Sequence, residues 1–268
     1  MKKYFSLFRY EMKTILKEPM NLFMVFYPFL MLFLTGFLLP AILERTADPD
    51  APATRITLLI SFVITLAIGG YASGVLLGFS LLENKDEKTL LNIAVSPVRV
   101  SGYTLFKILY CYVIGIISNL VLLGGMILIA KDSYVIGTPL GPIGLLDPFG
   151  WGEVLVFSVV SGMFGPTIGL ILPMIAKNKI EGFALMKSGG IIVMIPALAL
   201  LPAFQDGKQY LLGIVPIFWP VKALLNLSLG SVNPADLNYW GYMAIAAGYQ
   251  ALIAFVCFRI FIKKIELR

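Results

Sequence analysis

Six long runs of apolar residues, at about 21–43, 56–82, 108–130, 154–176, 188–204 and 237–258, alternate with short polar stretches along the chain. A hydrocarbon core about 30 Å thick takes about 20 residues of helix, so each run predicts one membrane-spanning helix in an all-α polytopic fold. A further apolar stretch, 211–229, contains Pro216, Pro220 and Lys222. Lysine at the bilayer centre costs about 2.5 to 3.5 kcal/mol on insertion scales, and the two prolines interrupt helical hydrogen bonding. This stretch therefore reads as a short re-entrant or interfacial helical pair within an outer-face region, 205–236, and not as a seventh span.

The polar stretches are not alike. Over residues 1–20 the apolar Tyr4, Phe5, Phe8, Met12, Ile15 and Leu16 recur at three- and four-residue steps, with Lys3, Arg9, Lys13 and Lys17 on the remaining arc. That spacing predicts an amphipathic helix in the headgroup plane, ended by Pro19. The segment 83–107 is a charged break opening with Glu83, Lys85, Asp86, Glu87 and Lys88, and it continues through a helix-like apolar ridge. Residues 131–152, rich in Gly and Pro, read as loop or as a partly re-entrant segment, and 177–187 as a short basic turn.

Glycines and prolines inside the runs predict local departures from straight helix. Gly70, Gly74 and Gly78 stand four residues apart, a pattern that lets two helices approach closely, within one subunit or between subunits. Gly162, Gly165, Pro166, Gly169 and Pro173 predict a kinked fourth span. Pro196 and Pro202 interrupt the fifth.

Composition agrees with a single membrane domain, 1–268. The chain is 59% apolar and 13% charged, against about 25% charged in soluble domains. Histidine is absent, which removes His-based metal sites and the commonest general base. Cys111 and Cys257 fall inside apolar runs and read as small buried hydrophobes. The N-terminal bases are scattered among aromatics with no cleavage site following, so no cleaved signal peptide is expected.

Charge also predicts orientation, because loops on the cytoplasmic side collect Lys and Arg. With six spans, sixteen of the twenty-one bases share the side of both termini, and only Arg45, Arg55, Lys131, Lys208 and Lys222 lie opposite. Both termini and the 83–107 break are then cytoplasmic.

No predicted span interior holds an acid or a base, which disfavours ion-coupled transport, and no constellation for chemistry within the membrane is visible. The order of a basic amphipathic helix, Lys17-Glu18-Pro19, Pro28, Gly36, then Glu83, Thr89-Leu90, Val95-Ser96-Pro97-Val98 and Lys107, resembles the permease subunit of type-2 ABC exporters. Lys88 departs from the glycine usual there. The resemblance implies that 83–107 carries a coupling helix. Thr89, Leu90, Leu91, Ile93, Ala94, Val95 and Pro97 would seat in a groove of a separate ATPase, with Glu83, Asp86, Glu87 and Arg99 as polar anchors. Lys3, Phe5, Phe8, Arg9, Met12 and Lys13 would belong to the interfacial helix docking nearby.

The same resemblance implies an outer gate at Pro216, Phe218, Trp219, Pro220 and Lys222. It implies a complex of two permeases, identical or related, with two ATPases in a prokaryotic cell membrane. ATP and Mg would be bound by the ATPase, and this chain would carry no cofactor, no metal and no catalytic residue. The chain has no GxxxxGK[ST] phosphate-binding loop. The substrate path would run between the permeases along spans 1, 2 and 5, with Thr35, Thr65 and Ser73 as its few polar groups. That lining suits a hydrophobic or amphipathic cargo such as a drug, lipid or peptide. An ion-coupled secondary transporter, or a membrane anchor that recruits a cytoplasmic partner, are the alternatives.

Overall fold

A computed structural model describes residues 19–46, 48, 51–87, 100–138, 141–204, 206–230 and 236–266. Among them six helices are long and apolar enough to cross a membrane: span 1 (Asn21–Thr46), span 2 (Pro52–Asp86), span 3 (Val100–Ile129), span 4 (Trp151–Ile175), span 5 (Lys179–Leu200) and span 6 (Tyr239–Lys264). The molecule has a loop face, where spans 2 and 3 flank residues 88–99, and an opposite hairpin face.

The spans run past the apolar stretches that announce them. Span 2 keeps helical form through Asp86 and span 3 starts at Val100, so the charged break shortens at both ends and Lys107 lies inside a helix. Span 5 begins at Lys179 because Asn178 caps it, its side chain accepting from the Glu181 backbone N–H at 2.9 Å. The basic turn expected over 177–187 is therefore confined to its first two residues. Pro196 sets the change to a 3-10 helix over Ile195–Leu200.

Span 1 accommodates Pro40 by slipping register. Proline cannot donate to the Gly36 carbonyl, and the helix passes through a π turn at Leu34–Leu38 in which the Leu39 N–H bonds Leu34 O. The slip leaves the Thr35 carbonyl without its helical donor. The hydroxyl of Tyr134 supplies one at 2.8 Å and also lies 3.0 Å from Ser61 Oγ on span 2. Burial raises the Tyr134 phenol to about 12, with the Ser61 contact opposing.

Residues 131–152 are not the plain loop that their glycines and prolines suggest. A 3-10 turn (Lys131–Ser133) leads into strand β1 (Val135–Thr138), paired antiparallel with β2 (Gly141–Gly144). Ile136 stands opposite Ile143 and Gly137 opposite Pro142. Pro142 is tolerated because both strands of a two-stranded ribbon are edges. The ribbon caps the main apolar core, where Phe62 stacks on Phe149 at 6.0 Å and Leu145, Leu146 and Phe164 are fully buried. A second core, with Leu77, Cys111, Leu170 and Phe261, fills the loop-face half.

Span 4 is broken at Met163 between helices Trp151–Gly162 and Phe164–Ile175. Span 2 packs on it through the glycine series. A Cβ on Gly70 would stand 2.5 Å from Ser161 O, one on Gly74 2.8 Å from Gly165 O, and one on Gly78 2.8 Å from the Leu172 side chain. The close approach thus lies within one chain. Spans 1 and 5 stay peripheral and show apolar faces, including Phe23, Phe26, Phe29, Phe33 and Phe37 on the first and Ile180, Phe183, Ile191 and Met194 on the fifth.

Between spans 5 and 6 the chain makes a 3-10 helix, Gly207–Ile214, and a short helix, Phe218–Leu229. Twelve residues rise about 18 Å, too little to cross the hydrocarbon.

Candidate functional site

Three places among the described residues correspond to the regions expected to carry function. At the loop face, Lys179 Nζ pairs with Glu83 Oε1 at 2.6 Å while the Lys179 backbone N–H donates to Asp86 Oδ2 at 3.0 Å. Two acids one helical turn apart on span 2 thereby hold the first turn of span 5. Lys85, on the same end of span 2, donates to Pro173 O at 3.2 Å and Ala176 O at 2.8 Å, and Lys264 of span 6 donates to Met174 O at 2.7 Å. Both ammonium groups satisfy carbonyls freed at the C-terminus of span 4, where cations are favoured.

Span 3 joins the cluster through buried groups. Lys107, 1% exposed, donates from Nζ to Ser80 Oγ at 2.6 Å and lies over the Tyr103 ring. Asn84 Nδ2 donates to the Tyr103 hydroxyl at 3.0 Å. Spans 2 to 6 are thus tied together where residues 88–99 depart. Of the expected coupling residues, Glu83 and Asp86 serve these ties and Glu87 is exposed. Thr89, Leu90, Leu91, Ile93, Ala94, Val95, Pro97 and Arg99 lie outside the described residues, as do Lys3, Phe5, Phe8, Arg9, Met12 and Lys13 of the expected interfacial helix. Neither Lys107 as a buried tie nor Lys85 as a cap has a signal in the sequence, since a charged residue beside a polar break reads as solvated.

The second place is an apolar cleft of about 220 Å³ where spans 1, 2 and 5 meet, lined by Met24, Tyr27, Ile68, Tyr71, Gly190 and Met194 among others. The Tyr71 hydroxyl donates to Met186 O at 2.6 Å. A neighbouring cavity of about 270 Å³ continues along Tyr71, Met186 and Gly189 toward span 4. Thr35, Thr65 and Ser73, expected to line a path, are buried and donate instead to Met31 O, Ser61 O and Gly70 O on their own helices. The tyrosines are the polar groups of the cleft.

The third is on the hairpin face. Asp236 carries a buried carboxylate that accepts from Tyr210 (2.9 Å) and Tyr242 (2.8 Å) at Oδ1 and from Lys222 Nζ (3.3 Å) at Oδ2. Trp219 stacks against Tyr210 and donates to Gly213 O at 2.9 Å. Ser228 Oγ donates to Leu145 O at 2.7 Å, fixing the other end of the short helix to the hairpin. Burial lowers the Lys222 ammonium and the Asp236 charge opposes it; burial raises the Tyr210 phenol. Of the expected outer-gate residues, Phe218 and Pro220 are buried, Trp219 and Pro216 partly so, and Lys222 is ion-paired. No cluster of three or more metal-ligating side chains occurs among the described residues.

Residues 11–258 match the family described as Rv2686c-like, fluoroquinolones export permease protein Rv2686c-like. Two proteins of Mycobacterium tuberculosis are similar to the chain. They are the fluoroquinolones export permease protein MT2760 of strain CDC 1551 / Oshkosh and the fluoroquinolones export permease protein Rv2686c of strain ATCC 25618 / H37Rv. Each is 23% identical over 257 residues, covering 94% of this chain and 91% of its own length. No solved structure matches the chain.

Proposed function

Since the chain belongs to the Rv2686c-like family of export permeases, and is a multi-pass membrane protein without enzymatic chemistry of its own, we propose that it is the membrane half of an ATP-driven exporter. A separate ATPase would dock on residues 88–99 and hydrolyse ATP with its own Mg. Two permeases would pair with two ATPases, and both termini and the loop face would be cytoplasmic.

The observation that carries this reading is the set of ties at the loop face. Glu83–Lys179, Asp86–Lys179, Lys85 on the end of span 4 and Lys107–Ser80 bind both helices that flank residues 88–99 into the bundle. A push on that segment then moves packed spans as a body instead of flexing a loose loop. The apolar cleft between spans 1, 2 and 5, with tyrosine as its polar element, suits a hydrophobic or amphipathic cargo. The relatives' names specify fluoroquinolones, an aromatic drug class that fits such a lining. The exposed apolar faces of spans 1 and 5 border the cleft and would meet the second permease.

Purification of the tagged chain from its own membranes in mild detergent tests the reading. An ATPase chain should co-purify in a one-to-one ratio, and replacing Leu91 or Val95 with Asp should remove it while the permease still inserts. Recovery of the permease with no ATPase from intact membranes contradicts the reading.

A further inference from the structure

On the hairpin face, a cavity of about 180 Å³ opens beside the short helix, lined by Leu59 of span 2, Leu200 at the end of span 5, Gln209 of the 3-10 helix, and Lys222, Leu225 and Asn226 of the short helix. Its polar groups are not used up by the fold. Gln209 is 3% exposed, and its side-chain amide makes no hydrogen bond among the described residues. Asn226 Nδ2 is buried without an acceptor. The Lys222 ammonium has three N–H donors, of which Asp236 Oδ2 takes one.

The acid of the neighbourhood is already saturated. Asp236 accepts from Lys222, Tyr210 and Tyr242, so the cavity shows a surplus of donors facing leucine side chains. A buried amide donor without an acceptor costs on the order of 1 to 3 kcal/mol, and an oxygen-rich ligand removes that cost. A cavity of about 150 Å³ holds a benzene ring, so this one has room for a single ring with a one-carbon acidic substituent.

We propose that this cavity is a binding subsite for the carboxylate end of an aromatic acid, with Lys222, Asn226 and Gln209 donating to the carboxylate oxygens and Leu59, Leu200 and Leu225 enclosing the ring. The ammonium then bridges two carboxylates, its own Asp236 and the ligand's, an arrangement an unpaired buried lysine could not hold in place. The occupant sits at the hairpin-face ends of spans 2 and 5, the far end of the path from residues 88–99. On the export reading it is a release site; binding itself does not rest on that reading.

The test is equilibrium binding of radiolabelled benzoate to the purified permease in lipid nanodiscs, with no ATPase present, against benzamide and benzylamine. Saturable benzoate binding, at least tenfold tighter than either neutral or cationic analogue, is expected. Asn226→Leu should weaken it tenfold or more. Gln209→Glu, which keeps the side-chain length and puts a negative charge where the ligand's carboxylate would sit, should weaken it at least as much, and both variants should keep the wild-type elution volume. Absence of saturable binding, equal binding of benzamide, or benzoate affinity unmoved by Gln209→Glu overturns the proposal. Because ATP plays no part, failure of ATP coupling and failure of this site give separate results.

Discussion

Lys107 Nζ stands 2.6 Å from Ser80 Oγ, a buried ammonium on span 3 held by a hydroxyl on span 2, less than two helical turns before span 2 gives way to the segment 88–99. A lysine this deep is expensive in a membrane protein unless its charge is solvated by protein groups, so the contact fixes the relative position of the two helices that flank the segment. Lys107→Met keeps the stem and removes the ammonium. It should leave membrane insertion unchanged and, on the proposed export function, lower ATP-dependent efflux at least fivefold, read in everted vesicles. Ser80→Ala should give a smaller loss in the same direction.

The glycine series makes a stability prediction. A Cβ at Gly70 or Gly74 meets backbone carbonyls of span 4 at 2.5 and 2.8 Å, and backbone cannot rotate away. Overpacking of this kind costs about 1 to 3 kcal/mol. Gly70→Ala and Gly74→Ala should each lower the melting temperature in detergent by several degrees. Gly248→Ala, where no atom beyond the local helix backbone and chain neighbours lies within 4 Å of the new methyl, should not lower it.

Gln250 lies fully buried in span 6 with neither Nε2 nor Oε1 hydrogen-bonded. Replacing an unsatisfied amide by an apolar side chain of similar size removes a desolvation cost of about 1 to 3 kcal/mol. Gln250→Leu should raise the melting temperature, measured by fluorescence-detected size exclusion after heating. A fall would show that the amide has a partner in the native membrane state.

Alkaline titration follows from Tyr134. Its phenol is raised to about 12 by burial, from an ordinary value of 10.0. The native state therefore stays neutral where the unfolded chain ionises. The stability it contributes is fully present below pH 10 and is lost as pH rises through about 12, an effect on the order of 3 kcal/mol at most. Tyr134→Phe should lower stability at pH 7, because Thr35 O loses its donor, and should flatten the decline between pH 10 and 12.

How much of this was legible in the chain depends on what each residue must satisfy. The six spans follow from the apolar runs, since nothing else about runs of that length suits water. The span ends were harder: Lys179 and Glu181 look like turn residues, yet Asn178 supplies the cap that lets them begin a helix. Lys107 reads as part of a polar loop because charge alone does not reveal a buried acceptor such as Ser80. The hairpin hid behind Gly137, Gly141, Pro142 and Gly144, whose residue types signal turns, while its pairing depends on partners across the ribbon. Thr35, Thr65 and Ser73 looked like path-lining groups because a hydroxyl in a span has no sequence signal for bonding back to its own helix.

On the proposed function, ATP hydrolysed by a partner moves cargo through this chain by way of residues 88–99. The most direct measurement is efflux of a fluorescent fluoroquinolone from proteoliposomes holding the permease and its co-purified ATPase, with and without the substitution Val95→Asp. Efflux should require ATP, be indifferent to an imposed proton or sodium gradient, and disappear in Val95→Asp although the protein is incorporated equally. Efflux driven by an ion gradient without ATP, or ATP-driven efflux undiminished in Val95→Asp, would contradict it.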